Sequence, residues 1–331
     1  MAAWKLGPAI ACGNTVVLKP AEQTPLSILY LAALSVKAGF PPGVINIVNG
    51  LGREAGSALI LHPGIDKIAF TGSTATGKLV MRGAARNMKP ITLETGGKSP
   101  LIVFEDADLE QAAKWSHVGI MSNQGQICTA TSRILVHRGV YDSFLQLFRK
   151  EIENSSVVGD PFAAETTQGP QVSKEQYQKI LGMVENAVKQ GADLVVGGKP
   201  FISELTDKNG FYIQPTVFGG VGPAMDIFQE EVFGPVAAVT PFDTLEEAVQ
   251  LANNSEYGLG AAVFTSNVTM AHVVAERLES GMVWVNSSQD SDVRVPFGGV
   301  KQSGIGRELG PAGLAAYTQE KSIHINLGLR L

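Results

Sequence analysis

The chain has 331 residues, of which 44% are hydrophobic and 17% charged, and its net charge is −5. This balance is typical of a globular protein of about two domains, and it offers no basic excess for nucleic acid or an anionic membrane. No apolar run reaches the roughly 20 residues of a membrane span, and the first residues lack the apolar block of a signal peptide. We therefore expect no nucleic-acid partner and no membrane partner.

Helical and strand-like segments alternate through the first hundred residues. Helical spacing of apolar residues predicts helices, and short β-rich runs predict strands. The predicted helices are 1–12, 25–39, 53–61 and 73–87, and the predicted strands are 14–20, 44–48, 66–72 and 89–96. Such alternation with apolar strands is typical of a parallel sheet covered by helices. The order opens on a helix, whereas a doubly wound sheet normally begins with a strand.

The same alternation continues after residue 97 and indicates a second α/β unit. Its predicted strands are 99–104, 132–137, 192–198, 211–218, 236–242, 261–265 and 281–286. Its predicted helices are 107–120, 141–155, 174–191, 244–254 and 269–280. A glycine-rich loop at 296–306, a short helix near 309–316 and a last strand at 322–327 complete the chain.

Two glycine-containing loops follow strands of the first unit. FTGSTATG (70–77) places Gly72 and Ser73 before a helix, where free N–H groups favour an anion, and NGLGREAG (49–56) has a similar position. Each alone also fits a capped helix after a turn, and neither is a G-x-G-x-x-G motif. Together in one parallel sheet they favour a nucleotide. Lys19 and Glu22 follow another strand, where an acid can bind the ribose hydroxyls of adenosine or form a surface ion pair with the lysine.

Two residues suggest chemistry. Glu94 ends an apolar strand, and partial burial there raises a carboxyl pKa towards the range of a general base. Cys128 lies among amides and hydroxyls in NQGQICTATS (123–132), whereas a packing cysteine usually has apolar neighbours. The second cysteine, Cys12, fits a packing role at a helix end. Two distant cysteines form no metal-spaced cluster and fit a reducing compartment, so we expect no metal and a cytoplasmic location.

The motifs together resemble those of the NAD(P)-dependent aldehyde dehydrogenase superfamily. They are KLGPAIACGNTVVLKPAEQTP, FTGST, LETGGKSP, NQGQICTATS, EEVFGPV and PFGGVKQSGIGRE, in one order along the whole chain. The resemblance implies two doubly wound parallel-sheet α/β domains: a partial dinucleotide-binding domain at 1–96 and a catalytic domain at 97–302. A C-terminal return segment at 303–331 would carry an oligomerisation strand.

The resemblance also implies a mechanism. Cys128 would attack the aldehyde carbon, a hydride would pass to the nicotinamide, and water activated by Glu94 would hydrolyse the thioester to the acid. Backbone N–H groups at and beside Cys128 would hold the developing oxyanion. A Cys–His hydrolase is a weaker alternative, because none of the five histidines lies in a recognisable partner motif.

The implied cofactor is NAD, with NADP less favoured because Glu22 would repel a 2′-phosphate. The implied cofactor contacts are Lys19, Glu22, Gly52, Gly56, Gly72, Ser73, Thr74, Ala75, Thr76, Gly77, Gln176, Glu231 and Phe233. The implied substrate-lining residues are Asn286, Asp290, Ser291, Asp292 and Phe297. In relatives that oxidise apolar aldehydes the stretch 287–296 is aromatic or aliphatic, whereas here it is polar. It therefore favours small polar or cationic aldehydes, with Asp290 or Asp292 meeting the cation, unless it is simply a solvated loop.

One departure from the family pattern limits these expectations. Members of the family have a strand with a Trp-Asn-Phe-Pro motif before the helix that here begins near Met1, and its asparagine supplies half of the oxyanion hole. Loss of one such donor costs about 3 kcal/mol of transition-state stabilisation. The chain thus resembles an N-terminally truncated member, and the alternative function is a weak or inactive relative that binds nucleotide or is structural. With the N-terminal region present we expect a homo-oligomer, a dimer or tetramer.

Overall fold

The computed structural model describes residues 1–203 and 210–331. Its strands are β1 (Val16–Leu18), β2 (Ile45–Ile47), β3 (Ile68–Thr71), β4 (Ile91–Glu94), β5 (Pro100–Val103), β6 (Arg133–His137), β7 (Asp193–Val196), β8 (Thr216–Gly219), β9 (Val236–Phe242), β10 (Tyr257–Gly258), β11 (Gly260–Phe264), β12 (Met282–Val285), β13 (Val300–Lys301) and β14 (Gly304–Ile305).

Helices connect most of these strands. They are α1 (Ala2–Ala11), α2 (Leu26–Lys37), α3 (Ser57–Leu61), α4 (Thr74–Ala84), α5 (Leu109–Met121), α6 (Tyr141–Ser155), α7 (Lys174–Lys189), α8 (Asp226–Gln229), α9 (Leu245–Asn253), α10 (Val268–Arg277) and α11 (Gly310–Ala315). Side-chain caps at Ser73, Asp108 and Ser173 begin α4, α5 and α7. Among the described residues, no helix is both long and apolar enough to cross a bilayer.

A seven-stranded sheet in the order β12-β11-β5-β6-β9-β8-β7 is the centre of the second unit. All its neighbours are parallel except β7, which runs antiparallel to β8 at one edge. Side chains alternate between two buried clusters, with Ile102 in one and Leu101 in the other. Helices α7, α9 and α10 contribute to the first cluster, and α5 and α6 to the second. Both faces of the sheet are therefore covered, as the unbroken apolar strands predict.

The first unit is built from two smaller sheets. Strand β1 pairs in parallel with β2, while β3 pairs in parallel with β4, and β14 adds to β4 in antiparallel direction. The two glycine loops therefore follow strands of separate sheets. The expectation that one sheet carries both loops is wrong for this chain, because β2 and β3 are not hydrogen-bonded neighbours.

Both units are α/β with parallel strands, which confirms the expected fold class. The differences between the expected and the observed elements are local. The strand expected at 211–218 begins only at Thr216, because Pro215 immediately before it has no N–H to donate. The strand expected at 322–327 is not formed in the isolated chain. Ile323 and Ile325 are 76% and 74% exposed there, so their side chains pack against little of the described chain.

Strand pairing also bears on the proposed domain boundaries. The chain leaves the smaller sheet after Glu94, enters the large sheet at Pro100, and returns through β14 to pair with β4. The boundaries at 96/97 and 302/303 lie within these two crossings, and they stay a prediction.

Candidate functional site

The segment before Cys128 has an unusual backbone. Asn123, Gln124 and Gly125 all have positive φ, at 49°, 56° and 68°. A Cβ on Gly125 would lie 2.0 Å from the carbonyl oxygen of Gly234, so only glycine fits there. These residues turn the chain sharply between α5 and β6, and they leave Cys128 half-buried in the loop.

A side-chain clamp fixes the residue after the cysteine. Thr129 Oγ1 donates to Gln289 Oε1 over 2.6 Å, and Gln289 Nε2 donates back to the Thr129 carbonyl over 2.7 Å. The two residues are 160 positions apart. Gln289 thus ties the polar stretch after β12 to the cysteine loop, a contact that no local pattern in the sequence indicates.

Glu94 lies at the end of β4 and is only 2% exposed. Neither of its carboxylate oxygens has a hydrogen-bond partner in the part of the chain that the structure describes. Burial, with a smaller effect from Glu308, raises the pKa of Glu94 to about 8, against the opposing charges of Lys5 and Arg307. Glu94 is therefore protonated at neutral pH in this state, and it can act as a base once the pH approaches 8.

The glycine pair after Glu94 joins it to the cysteine and to a second acid. The Gly97 N–H donates to Glu231 Oε1 over 2.8 Å. A Cβ on Gly97 would lie 2.3 Å from the Cys128 carbonyl oxygen, and one on Gly96 would lie 2.6 Å from Glu231 Oε2. Larger residues would force these three groups apart.

The effects of their charges on the thiol indicate that Glu94 and Glu231 lie near it. Burial, with smaller effects from Glu94 and Glu231, raises the pKa of the Cys128 thiol to about 12, against backbone hydrogen bonds that lower it. Burial also raises the pKa of Glu231, while the Gly97 N–H lowers it. The sequence motifs far apart along the chain are thus brought into one site.

Two other predicted residues support the Glu231 segment. Phe233 has a positive φ of 56°. Gln176 Nε2 donates to the carbonyls of Val232 and Phe233 over 2.9 and 3.0 Å. The amide nitrogen of Gln176 therefore holds this strained turn, and only its oxygen is left for a ligand.

Lys19 and Glu22 form a second group with the loop after β2. Lys19 Nζ donates to the Gly50 carbonyl over 3.2 Å and lies 3.6 Å from Glu22 Oε1. The Gly52 N–H donates to Glu22 Oε1 over 2.5 Å. Backbone hydrogen bonds and Lys19 lower the pKa of Glu22, so its carboxylate is charged. Gly56 completes the group, because a Cβ there would lie 3.8 Å from Lys19 Cε.

The loop after β3 forms a third group. The Ser73 side chain accepts from the Thr76 N–H and caps α4, and Gly72, Ser73, Ala75 and Thr76 are exposed. The Gly96 N–H donates to Thr74 Oγ1 over 3.3 Å, which connects this loop to the glycine pair after Glu94. Gly77 is buried, and it packs so closely against Thr95 that a Cβ there would lie 2.7 Å from Thr95 Cγ2.

The predicted substrate-lining residues are not brought together. Phe297 is buried against Trp4, with ring centroids 4.7 Å apart. Asn286 accepts from the Thr265 N–H and donates to the Thr265 carbonyl, and its expected role in lining the site stays a prediction. Asp290 and Ser291 are exposed, and Asp292 pairs with Arg294 two residues away.

A buried ionic network beside Glu94 has no counterpart in the sequence patterns. Lys5 on α1 forms an ion pair with Glu308 and donates to Thr71 Oγ1 over 2.8 Å. Burial, with a smaller effect from Lys5, lowers the pKa of Lys67 to about 8, and Lys67 Nζ lies 4.4 Å from the Tyr317 ring centroid. Lys5 and Glu308 are 303 positions apart, so only the folded chain shows their pairing.

Comparison with known proteins identifies this arrangement. Residues 1–323 match the aldehyde dehydrogenase family. An aldehyde dehydrogenase of Davidiella tassiana is 53% identical over 329 residues, covering 99% of this chain and 65% of that protein. Retinal dehydrogenase 2 of Homo sapiens is 50% identical over 330 residues, covering 99% of this chain and 62% of that protein.

Solved structures give the same result. The NAD⁺ complex of an aldehyde dehydrogenase from Bacillus cereus superposes with a TM-score of 0.96 at 49% identity, covering 99% of this chain and 66% of that one. The chain thus spans 62–65% of the length of the two relatives named above.

Proposed function

Because the chain belongs to the aldehyde dehydrogenase family, we propose that it oxidises an aldehyde to a carboxylic acid with NAD as the hydride acceptor. The observation that carries this proposal is the shared site of a half-buried thiol and a buried carboxyl group, Cys128 and Glu94, whose charges influence each other. A nucleophile and a base of this kind are what a thioester mechanism requires.

The cofactor proposal rests on the groups around the glycine loops. Lys19 and Glu22 would hold the adenosine ribose, and the exposed first turn of α4 at Ser73 would face the pyrophosphate. Glu231 and Phe233 would contact the nicotinamide half. The charged Glu22 would repel a 2′-phosphate, which favours NAD over NADP. When bound, oxidised NAD supplies the acceptor for the hydride.

The chain's own residues would perform the remaining steps. The Cys128 sulfur bonds to the aldehyde carbon, and the thiol proton passes to the aldehyde oxygen, which gives a thiohemiacetal. Loss of a hydride and a proton from that intermediate leaves a thioester on the sulfur. Glu94 then takes a proton from water as the water adds to the thioester carbonyl. The Cys128 sulfur leaves as the carboxylic acid forms.

The thiol as it stands is poorly prepared for attack. With a pKa of about 12, Cys128 is almost entirely protonated at neutral pH. A positive charge bound beside the sulfur would lower this pKa, and oxidised nicotinamide carries one. Without such help the raised pKa favours the second candidate, a weak or inactive relative that binds nucleotide.

Mutation of the two cysteines separates these candidates. Cys128→Ala should abolish NAD-linked aldehyde oxidation, measured as NADH formation, because Cys128 is the thiol on which Glu94 and Glu231 act. Cys12→Ala is the matched control and should retain the activity, since Cys12 lies at the end of α1 and its sulfur lies 3.7 Å from the Leu314 carbonyl oxygen. Equal loss in both variants with intact folding would refute the assignment. No activity in the unmutated chain, with NAD binding retained, would favour the inactive relative.

We further propose a homo-oligomer in the cytoplasm. The exposed apolar side chains of Ile323 and Ile325 support association through the C-terminal segment. The free cysteines support a reducing compartment.

A further inference from the structure

Two basic side chains lie fully inside the second unit. Lys98 is 2% exposed and Arg133 is 1% exposed, and the backbone carbonyl of Lys98 accepts from Arg133 Nε over 2.8 Å. Buried charges in proteins are normally paired with an opposite charge, because desolvation of an unpaired ion is costly. The partners of these two groups therefore require an explanation.

Arg133 is held by neutral partners. Its Nη1 and Nη2 atoms donate to the carbonyls of Leu251 and Ala252 over 2.9 and 2.7 Å, and its guanidinium lies 4.9 Å from the Phe228 ring centroid. Among residues 1–203 and 210–331, no carboxylate forms an ion pair with Arg133 or Lys98. The hydrogen bonds of Arg133 are satisfied, but its charge is not balanced.

Lys98 and its neighbour lack even hydrogen-bond partners. Lys98 Nζ and Ser99 Oγ are both buried without a partner within the described chain. Glu231, which acts on the Lys98 charge, accepts from the Gly97 N–H, and Glu279, which lines the cavity described below, pairs with Lys301. Two buried donors thus lie without an acceptor, and burial, with a smaller effect from Arg133, lowers the pKa of the Lys98 ammonium to about 7. An anion bound beside the ammonium would favour its charged form.

A small cavity lies against these groups. Lys98, Ser99 and Arg133 line it, with Tyr257, Glu279 and Ser280 towards the surface. The cavity is small, with room for about one particle of the size of a water molecule. Glu279 is exposed, so the cavity has a route to solvent.

We propose that this cavity binds a monatomic anion of the chloride type, held by the Lys98 ammonium and the Ser99 hydroxyl beside the Arg133 guanidinium. An anion supplies both the missing acceptor and the missing negative charge, whereas a water molecule supplies only the acceptor. It would also anchor the segment 96–99, whose glycine pair orders Glu231 and the cysteine loop. The site therefore supports the geometry around Cys128 without touching it.

Anion-specific stabilisation of the full chain tests the proposal. Thermal unfolding is followed in sodium chloride, sodium bromide and sodium gluconate at equal ionic strength, because gluconate is too large for the cavity. Chloride and bromide should raise Tm saturably, by roughly 3 °C at ten times Kd. In crystals grown with bromide, an anomalous peak should lie in the cavity between Lys98 and Ser99.

Matched variants identify the binding group. Lys98→Met should lose the chloride response and should be at least as stable as the unmutated chain in gluconate, because an unbalanced charge is gone. Ser99→Ala should weaken the response. Lys89→Met is the control: Lys89 is 8% exposed, and its Nζ donates to the carbonyls of Ile60 and His62, so its chloride response should persist.

Three outcomes would overturn the proposal. They are equal Tm in chloride and gluconate, an unchanged chloride response in Lys98→Met, and bromide peaks only at the protein surface. If Lys98→Met does not fold, Ser99→Ala and the bromide map of the unmutated chain still decide the question.

Discussion

The regions 1–96 and 97–302 share the same alternation of strands and helices, but their apolar side chains are buried to very different degrees. Both extended clusters of the hydrophobic core lie wholly between Leu101 and Leu278. In the first region α2 has no buried residue, and Leu26, Tyr30 and Val36 are 77%, 67% and 73% exposed. Apolar periodicity therefore predicts an element correctly, but it does not predict whether that element has a neighbour to pack against.

Sheet size accounts for much of this difference. In the second region seven strands share one sheet, whose faces are both covered by helices. In the first region β1 and β2 pair over only three residues, in a sheet of their own. Burial rises again at 91–97, where β4 approaches the second region, and Glu94 lies in that stretch. The first region is thus firmly packed where it forms the site and open elsewhere.

The largest expected effect contrasts a core residue with an exposed one. Phe218→Ala, at a fully buried position in β8, should lower the free energy of unfolding by about 3–5 kcal/mol. Leu26→Ala in α2, where the side chain is 77% exposed, should change it by no more than about 0.5 kcal/mol. Urea denaturation of both variants measures the difference, and similar losses would show that α2 is packed in solution.

The next effect, of similar size, tests the burial of Glu94, in the stretch 91–97, through the pH dependence of stability. A carboxyl pKa raised from 4.5 to about 8 contributes stability that is complete below 4.5 and is lost as the pH rises through 8. Glu94→Gln should therefore match the unmutated chain near pH 4.5 and exceed its stability at pH 9 by on the order of 5 kcal/mol. Urea denaturation across this range measures it.

A control and a kinetic readout accompany this prediction. Glu165→Gln, at an exposed position, should leave the pH profile unchanged. If Glu94 is the base, Glu94→Gln should also leave an acyl adduct on Cys128 after a burst of NADH, detectable by mass spectrometry. A stability–pH profile of Glu94→Gln that runs parallel to that of the unmutated chain would mean that Glu94 is more hydrated than the structure shows.

Sequence patterns predicted much of the fold, and family motifs predicted Cys128, Glu94 and Glu231 as members of one site. Their roles stay predictions, although the structure brings the three together. The contacts of Lys5 with Glu308 and of Thr129 with Gln289 join residues 303 and 160 positions apart. Such pairs leave no local signal, because periodicity and turn motifs describe only near neighbours. The segment 322–327 shows the converse, since its strand pattern has no strand partner among residues 1–203 and 210–331.

The smallest expected effect concerns the substrate, in the stretch of the second region that is as open as α2. The sequence favours cationic aldehydes through Asp290 and Asp292, but Arg294 already donates to Asp292 from Nε over 2.9 Å and from Nη2 over 2.5 Å. An exposed acid that already has a counter-charge contributes little to binding a second cation. Asp290→Asn with Asp292→Asn should therefore lower kcat/KM for betaine aldehyde only about two- to fivefold, with hexanal unchanged.

Arg294→Gln decides whether Asp292 faces the substrate at all. Removal of the competing guanidinium leaves the Asp292 carboxylate free, so kcat/KM for betaine aldehyde should rise while that for hexanal stays constant. Asp243→Asn is the matched control, because Asp243 forms a similar exposed pair with Arg138 outside the site. A higher kcat/KM for hexanal and retinal than for betaine aldehyde in the unmutated chain would contradict the cationic preference. An unchanged ratio in Arg294→Gln would show that the charged side chains of this stretch are solvated and never reach the aldehyde, although Ser288 and Gln289 in the same stretch are held by the protein.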